Sequence, residues 1–426
     1  MVDLGNATTS GGIGRFPVQV TTAMNVTPNP HVSTGKRRAE HALQTALHHR
    51  YGANGAPNAD VLSSLSADEL ADASLANGVD DYAADWLSMV APESDALAAI
   101  RRRCDAMARF HLRALADLRT LHRAFDDAGI AHLVMKGPVL NELRSGPFVR
   151  PYSDLDVLID PGTLRAALDA LERCGAEPIE GWLWQHLLET EHGQVPMVLP
   201  FGTSLDLHWH LCSRPTLRWN FSVEFPSALL LRSVPFEVGG GLIPVLSPVD
   251  MLLHTASHAT WSGGDRLVWS GDVADVIEGF DVEWDVLVDR AHAWGVGNLV
   301  AEALRQATRE AGASVPETVI TALRVGGWGR VLAVIDRPRL RRFLGRHDLP
   351  MLLRSDMRGD SRTSARLFRG RVTNAIRRRA GHVAPELTRP QGRADSRARY
   401  FEFVERETRE GFRRPATRIV GPGTVD

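Results

Sequence analysis

Lysine is almost missing from this chain. Of 426 residues 49 are basic, and only Lys36 and Lys136 among them are lysines. The bias is that of a GC-rich genome, which leaves one question: why a lysine stands at 136. Cysteine is scarce too. Cys104, Cys174 and Cys212 lie far apart, and their spacing fits neither a metal cluster nor a disulfide framework. They read as reduced, half-buried core thiols of a cytoplasmic protein. No run approaches the roughly 18 apolar residues that a membrane span needs. The N-terminus has no basic start followed by an apolar stretch, so no signal peptide is expected. Net charge is also lacking: at −2 the whole molecule is not an electrostatic nucleic-acid binder.

The rest of the composition is that of an ordinary soluble globular chain, with 44% hydrophobic and 23% charged residues. The length predicts two to three domains. The near-neutral total hides a division. From Arg337 to Asp426 there are 23 arginines and 10 acids, a net of +13, so the preceding part carries −15. An acidic body with a basic tail follows.

Residues 1–35 are rich in Gly, Thr, Asn and Pro without apolar period and are expected to be a disordered leader. Residues 36–130 follow a helical pattern. Its clearest piece runs from Asp95 to about Ala128, with Ile100, Met107, Leu112, Leu115, Leu118 and Leu121 on one stripe. The period then changes. Residues 131–246 are expected to form a small mixed β-sheet core, giving an α/β (α+β) fold with helical regions on either side. Ala131–Met135 predicts a strand, Gly137-Pro138 opens a short helix, and Asp154–Ile159 predicts a second strand. Thr163–Cys174 predicts a helix. Ser204–Leu211 predicts a strand with Leu205, Leu207, Trp209 and Leu211 on one face and Asp206, His208 and His210 on the other. Pro235–Val245 predicts a hairpin around Gly239-Gly240-Gly241. Residues 247–354 are helical again, opened by Ser247-Pro248-Val249-Asp250 with serine as cap and proline at the first helical position. The Arg-rich segment 355–426 is expected to be mostly flexible, with a helix near Ala398–Gly411.

The chemistry concentrates in the middle. Lys136-Gly137 ends the first strand, and a glycine there lets the backbone turn sharply and approach a ligand closely. Asp154 and Asp156 are two apart on a strand and point to the same face. Two like charges at the start of an apolar strand are costly unless a cation or hydrogen bonds compensate, or the pair reaches solvent at a sheet edge. Asp206 stands on the polar face of the later strand. If that strand lies beside Asp154–Ile159, three carboxylates meet and form a hard oxygen site suited to Mg²⁺ or Mn²⁺.

These motifs, in this order, resemble the DNA polymerase β-type nucleotidyltransferase superfamily. The likeness is nearer to an uncharacterised bacterial branch, in which Leu-Lys-Gly is followed by Arg-Pro-x-x-Asp-x-Asp-Leu-Leu. Here the corresponding residues are Val134-Met135-Lys136-Gly137 and Arg150-Pro151-Tyr152-Ser153-Asp154-Leu155-Asp156-Val157-Leu158. Asp206-Leu207-His208-Trp209 is similar to the branch's third-carboxylate strand, and Leu246–His254 to its first helix after the core. The resemblance covers about residues 100–310. It implies a metal-dependent enzyme that moves a nucleoside monophosphate from an NTP to a hydroxyl-type acceptor and releases pyrophosphate. Asp154, Asp156 and Asp206 would be the catalytic and metal-binding residues, with Mg²⁺ or Mn²⁺ as cofactor. Lys136, Gly137, Arg150 and Ser153 would form the nucleotide-binding set. The acceptor would be an unidentified small molecule or peptide. In place of the superfamily's Gly-Ser the turn reads Gly137-Pro138, which supports an alternative, a catalytically silent binding or regulatory module. A further alternative is an RNA-directed transferase recruited by the basic tail. Contact with nucleic acid through that tail is not favoured, because its aromatics (Phe368, Tyr400, Phe401, Phe403) are sparse.

Other residues carry competing readings. Lys136 is either a triphosphate contact or an exposed strand-end lysine. Arg150 is either a triphosphate contact or the ion-pair partner of Asp154 or Asp156. His254 and His258, at i and i+4, have the spacing of zinc ligands but no third ligand, and are expected to be satisfied polar positions near the core. His208 is either a group behind the metals or a surface histidine. Asp272 and Asp275 are expected to be solvated, and Trp182 and Trp184 to pack in the core.

Overall fold

The computed structural model describes residues 34–51, 62, 64–144, 146–179, 183–262, 264–324 and 393–411. Among these, four helices come first: α1 (Thr34–Arg50), α2 (Ala67–Asn77), α3 (Asp80–Val90) and α4 (Asp95–Asp127). Local chemistry sets their ends. Ser66 and Glu69 form a reciprocal capping box at the start of α2, and Gly78 ends it in the left-handed conformation. Ser94 caps α4 by accepting from the Leu97 amide. At 33 residues α4 is about 50 Å long. Its buried stripe is Leu97, Ile100, Cys104, His111, Ala114, Leu118, Leu121 and Phe125. Leu112, expected on that stripe, is 67% exposed, because it stands one residue past His111, on a different face of the helix.

The sheet follows, in the order β3-β4-β5-β2-β1-β7-β6. Its strands are β1 (His132–Val134), β2 (Asp154–Ile159), β3 (Glu177–Pro178), β4 (Gln194–Val198), β5 (Ser204–His208), β6 (Val234–Val238) and β7 (Gly241–Val245). β2 lies between β1, to which it is antiparallel, and β5, to which it is parallel. β1 and β7 pair in parallel, and the other pairs are antiparallel. The sheet is therefore mixed, as the α/β expectation required. Leu155, Val157, Leu205 and Leu207 have no exposed surface and fill one side of the two central strands. Asp117, fully buried on α4, accepts from the amides of Phe201 (2.9 Å) and Thr203 (3.0 Å). That carboxylate fixes the turn from which β5 starts.

Short helices fill the connections: α5 (Pro138–Leu143), α6 (Leu164–Arg173), α7 (Leu183–Thr190), α8 (Pro215–Asn220) and α9 (Pro226–Leu231). The chain then runs through α10 (Pro248–Trp261), α11 (Leu267–Gly279), α12 (Trp284–Trp294), α13 (Gly297–Ala311) and α14 (Glu317–Leu323). Ser247 caps α10 through the Asp250 amide, with Pro248 in the first turn. α15 (Arg393–Arg409) is the helix expected near 398–411; it begins a few residues earlier. It packs on α7, where Trp184 meets Tyr400 and Phe401. Tyr400, fully buried, accepts from Trp209 Nε1 and donates to the His192 carbonyl. Trp182, residues 1–33 of the leader expected over 1–35, residues 325–354 of the expected C-terminal helical region, and the Arg-rich stretches 355–392 and 412–426 lie outside the described residues. Among the described residues no helix is long and apolar enough to cross a membrane.

Candidate active site

β2 and β5 carry the candidate carboxylates. The parallel register sets Asp154 opposite Ser204 and Asp156 opposite Asp206. Neighbouring strands lie about 4.8 Å apart, so matched residues on one face are within reach of a shared ligand. His208 is two residues beyond Asp206 on the same face, and its Nε2 donates to Asp156 Oδ1 at 3.1 Å. Ligating atoms of Asp156, Asp206 and His208 all lie within 4.8 Å of one another. Asp154 stands one step upstream on β2, half-buried. Ser153 is exposed beside it.

Lys136 enters from the end of β1. Its Nζ lies 3.1 Å from Asp156 Oδ2, and its side chain is 17% exposed. The lysine is therefore a largely buried partner of the carboxylates, contrary to the exposed strand-end reading. Gly137 follows with φ at +61°. A Cβ there would stand 3.1 Å from the Asp154 carbonyl oxygen and 3.4 Å from the Tyr152 ring. Both the positive φ and this close approach favour glycine.

The electrostatics follow from crowding charges in a poorly hydrated place. Burial pushes the Asp154 carboxyl up to about 7, with the Asp156 charge adding to the shift. Burial also raises Asp206, as does Asp156, while His208 opposes them. Burial works to raise Asp156 as well, but Lys136 and the hydrogen bond from His208 overcome it and hold Asp156 well below the usual carboxylate range. Lys136 loses hydration, but Asp156 and Asp154 more than compensate, so its ammonium stays charged. Three carboxylates here face one lysine within the cluster. Such a surplus of negative charge suits a divalent cation. The donors fit one: Asp156 and Asp206 offer hard oxygens side by side, Asp154 stands on the same face of β2, and His208 backs Asp156.

Arg150 is held elsewhere. Its Nε and Nη2 reach Asp272 Oδ1 and Oδ2, both at 2.5 Å, rather than Asp154 or Asp156. Arg144 extends the same network to Asp272 (3.0 Å), Asp275 (2.7 Å) and Asp81 (2.6 Å), and stacks over Tyr82. Tyr51 donates to Asp275 at 2.6 Å. Asp272 and Asp275 are thus 3% exposed, not solvated. The signal for this was α11 itself: it is apolar nearly all round, so two aspartates on it had to be buried with partners. His254 of α10 is buried behind the site, and His258 is half-buried. Both ring nitrogens of His254 are unpartnered, which differs from the satisfied polar position expected. Burial, and after it Lys136, push His254 down to about 3, so its imidazole is neutral. Trp184 is buried against α15, as core packing required.

The mixed sheet carries acids on neighbouring central strands, next to a glycine turn and a short helix. A family model described as uncharacterised nucleotidyltransferase matches residues 63–311, more than half of the chain. The chain belongs to that family. Comparison with curated proteins gives no match.

Proposed function

We propose that this protein is a metal-dependent nucleotidyltransferase of the DNA polymerase β-type superfamily. It moves a nucleoside monophosphate from an NTP to a hydroxyl-type acceptor, a small molecule or peptide, in the cytoplasm. The three cysteines are free, which agrees with a reducing compartment. The observation that carries the reading is the register of β2 against β5, which sets Asp156 beside Asp206 with His208 and Lys136 in contact.

In this reading Asp154, Asp156 and Asp206 hold Mg²⁺ or Mn²⁺. The metal, when bound, neutralises phosphate charge and polarises the reacting oxygens. Asp206, raised by burial, is placed to take the proton of the acceptor hydroxyl. Lys136 balances charge on the phosphates as they approach, and Ser153 and the Gly137 turn line their path. Arg150 acts through Asp272: it fixes the segment leading into β2, and so the angle at which Asp154 is presented. The helices α10 to α14 form the acceptor side.

The decisive experiment titrates each NTP with and without Mg²⁺ or Mn²⁺ into wild type, Asp154→Ala and Asp206→Ala, and follows pyrophosphate release with candidate acceptors. Metal-dependent binding and transfer are expected in wild type. Both variants should lose transfer while keeping wild-type circular dichroism. Undiminished transfer in either variant contradicts the assignment. One observation favours a catalytically silent module instead: Asp156 already has Lys136 and His208 as partners. That reading predicts no NTP binding under any metal.

A further inference from the structure

Ligating atoms converge at a second place, at the end of β1 opposite Lys136. His122 and Asp126 are one turn apart near the end of α4, and His132 opens β1. We propose that these three residues form a binding site for a divalent transition metal of the zinc class, separate from the carboxylate site.

The geometry is close to that of a ligand set. One ligating atom from each residue lies within 4.8 Å of the others. His122 Nδ1 and His132 Nε2 are 2.9 Å apart. Two nitrogens bound tetrahedrally at about 2.05 Å from one Zn²⁺ stand about 3.3 Å apart, so the rings need to open by only about 0.4 Å. Asp126 Oδ2 lies 3.3 Å from the other nitrogen of His122, Nε2, so on the exposed side the carboxylate has to swing toward Nδ1 to share the ion.

An independent observation concerns how His132 is held. Its Nδ1–H donates to the Ile130 carbonyl at 3.0 Å, which leaves Nε2 as the nitrogen aimed at His122. Metal-bound histidines are characteristically fixed this way, with the other ring nitrogen donating to a carbonyl or carboxylate. Phe125 packs edge-on against the same ring at 5.1 Å, and the residue is 4% exposed. One ligand is therefore rigid and buried. The other two reach solvent, with side chains 24% and 59% exposed, and leave an entry path and room for water to complete the coordination. Two imidazoles and one carboxylate suit Zn²⁺ or Co²⁺ better than Mg²⁺. Bound there, the ion ties the end of α4 to the first residue of the strand that leads to Lys136.

The test uses the full chain carrying Asp206→Asn, so that the carboxylate site is weakened, and compares it with the same chain also carrying His122→Ala. Zn²⁺ is followed by calorimetry and Co²⁺ by its visible absorption. The parent should bind one Zn²⁺ that His122→Ala weakens by at least about tenfold, with loss of the Co²⁺ band. If His122→Ala does not fold, Asp126→Ala, at a mostly exposed position, decides by the same criterion. Equal Zn²⁺ affinity and stoichiometry in parent and variant overturn the site. So does a parent that binds no Zn²⁺.

Discussion

His210 is fully buried, and its Nδ1 accepts from the Cys212 amide at 2.9 Å. Burial, with Arg218 adding to it, pushes the imidazole down to about 3. An unfolded chain takes a proton at this ring near pH 6.5, whereas the folded chain does not until far lower. Protons in that interval favour the unfolded state. The stability His210 contributes is complete above about pH 6.5 and is lost as pH falls toward 3, by up to about 1.4 kcal/mol per pH unit. His210→Asn keeps an acceptor for the Cys212 amide but cannot titrate. Its stability relative to wild type should therefore improve steadily from pH 7 to pH 4.5 in urea unfolding. A difference independent of pH contradicts the argument. At this scale the sequence was readable where chemistry is costly. Asp154, Asp156 and Asp206 stood out because acids are disfavoured on strands. The partner of Asp272 and the role of Arg150 were not readable, because their ion pair spans 122 residues and neither segment alone names its partner.

Elements were legible where one period dominates. α4 and β2 fall within a residue of their expected ends, and Ser247-Pro248 opens α10 as its capping chemistry requires. β5 stops at His208 rather than Leu211: Trp209 still donates in register to the Gly193 carbonyl, but the Gly193 amide turns to the Ser213 carbonyl and the ladder ends there. β4 was missed, since Pro196 interrupts it and proline argues against a strand. The attachment of α15 was also illegible: arginines dominate its composition, while Tyr400, Phe401, Phe403 and Val404 make the buried face. Tyr400 supplies both apolar area and two hydrogen bonds at that contact. Tyr400→Ala should cost about 3–5 kcal/mol in chemical unfolding. Tyr400→Phe keeps the packing and should cost less, about 1–3 kcal/mol, through the unpaired Trp209 Nε1. Equal losses in the two variants would mean that packing does not hold the helix.

Across the whole molecule the buried network of Arg144, Arg150, Asp81, Asp272 and Asp275 is where three stretches of sequence meet. Asp81 comes from the N-terminal helices, the arginines from the sheet region, and Asp272 and Asp275 from α11. Removing one member leaves charges buried without partners, a loss of about 3–5 kcal/mol. Arg144→Ala should show that loss, and its unfolding followed by tryptophan fluorescence and by circular dichroism should cease to coincide. Coincident transitions with a small loss would mean that the regions are joined by apolar packing alone. The same network also sets an order of events during synthesis. Arg144 and Arg150 are made more than a hundred residues before Asp272 and Asp275. A nascent chain that has reached β5 already contains every candidate carboxylate and the Asp81 partner of Arg144, yet the Asp272 partner of Arg150 is still to be made. The segment that Arg150 fixes, which leads into β2, therefore gains its ion pair only once α11 has left the ribosome.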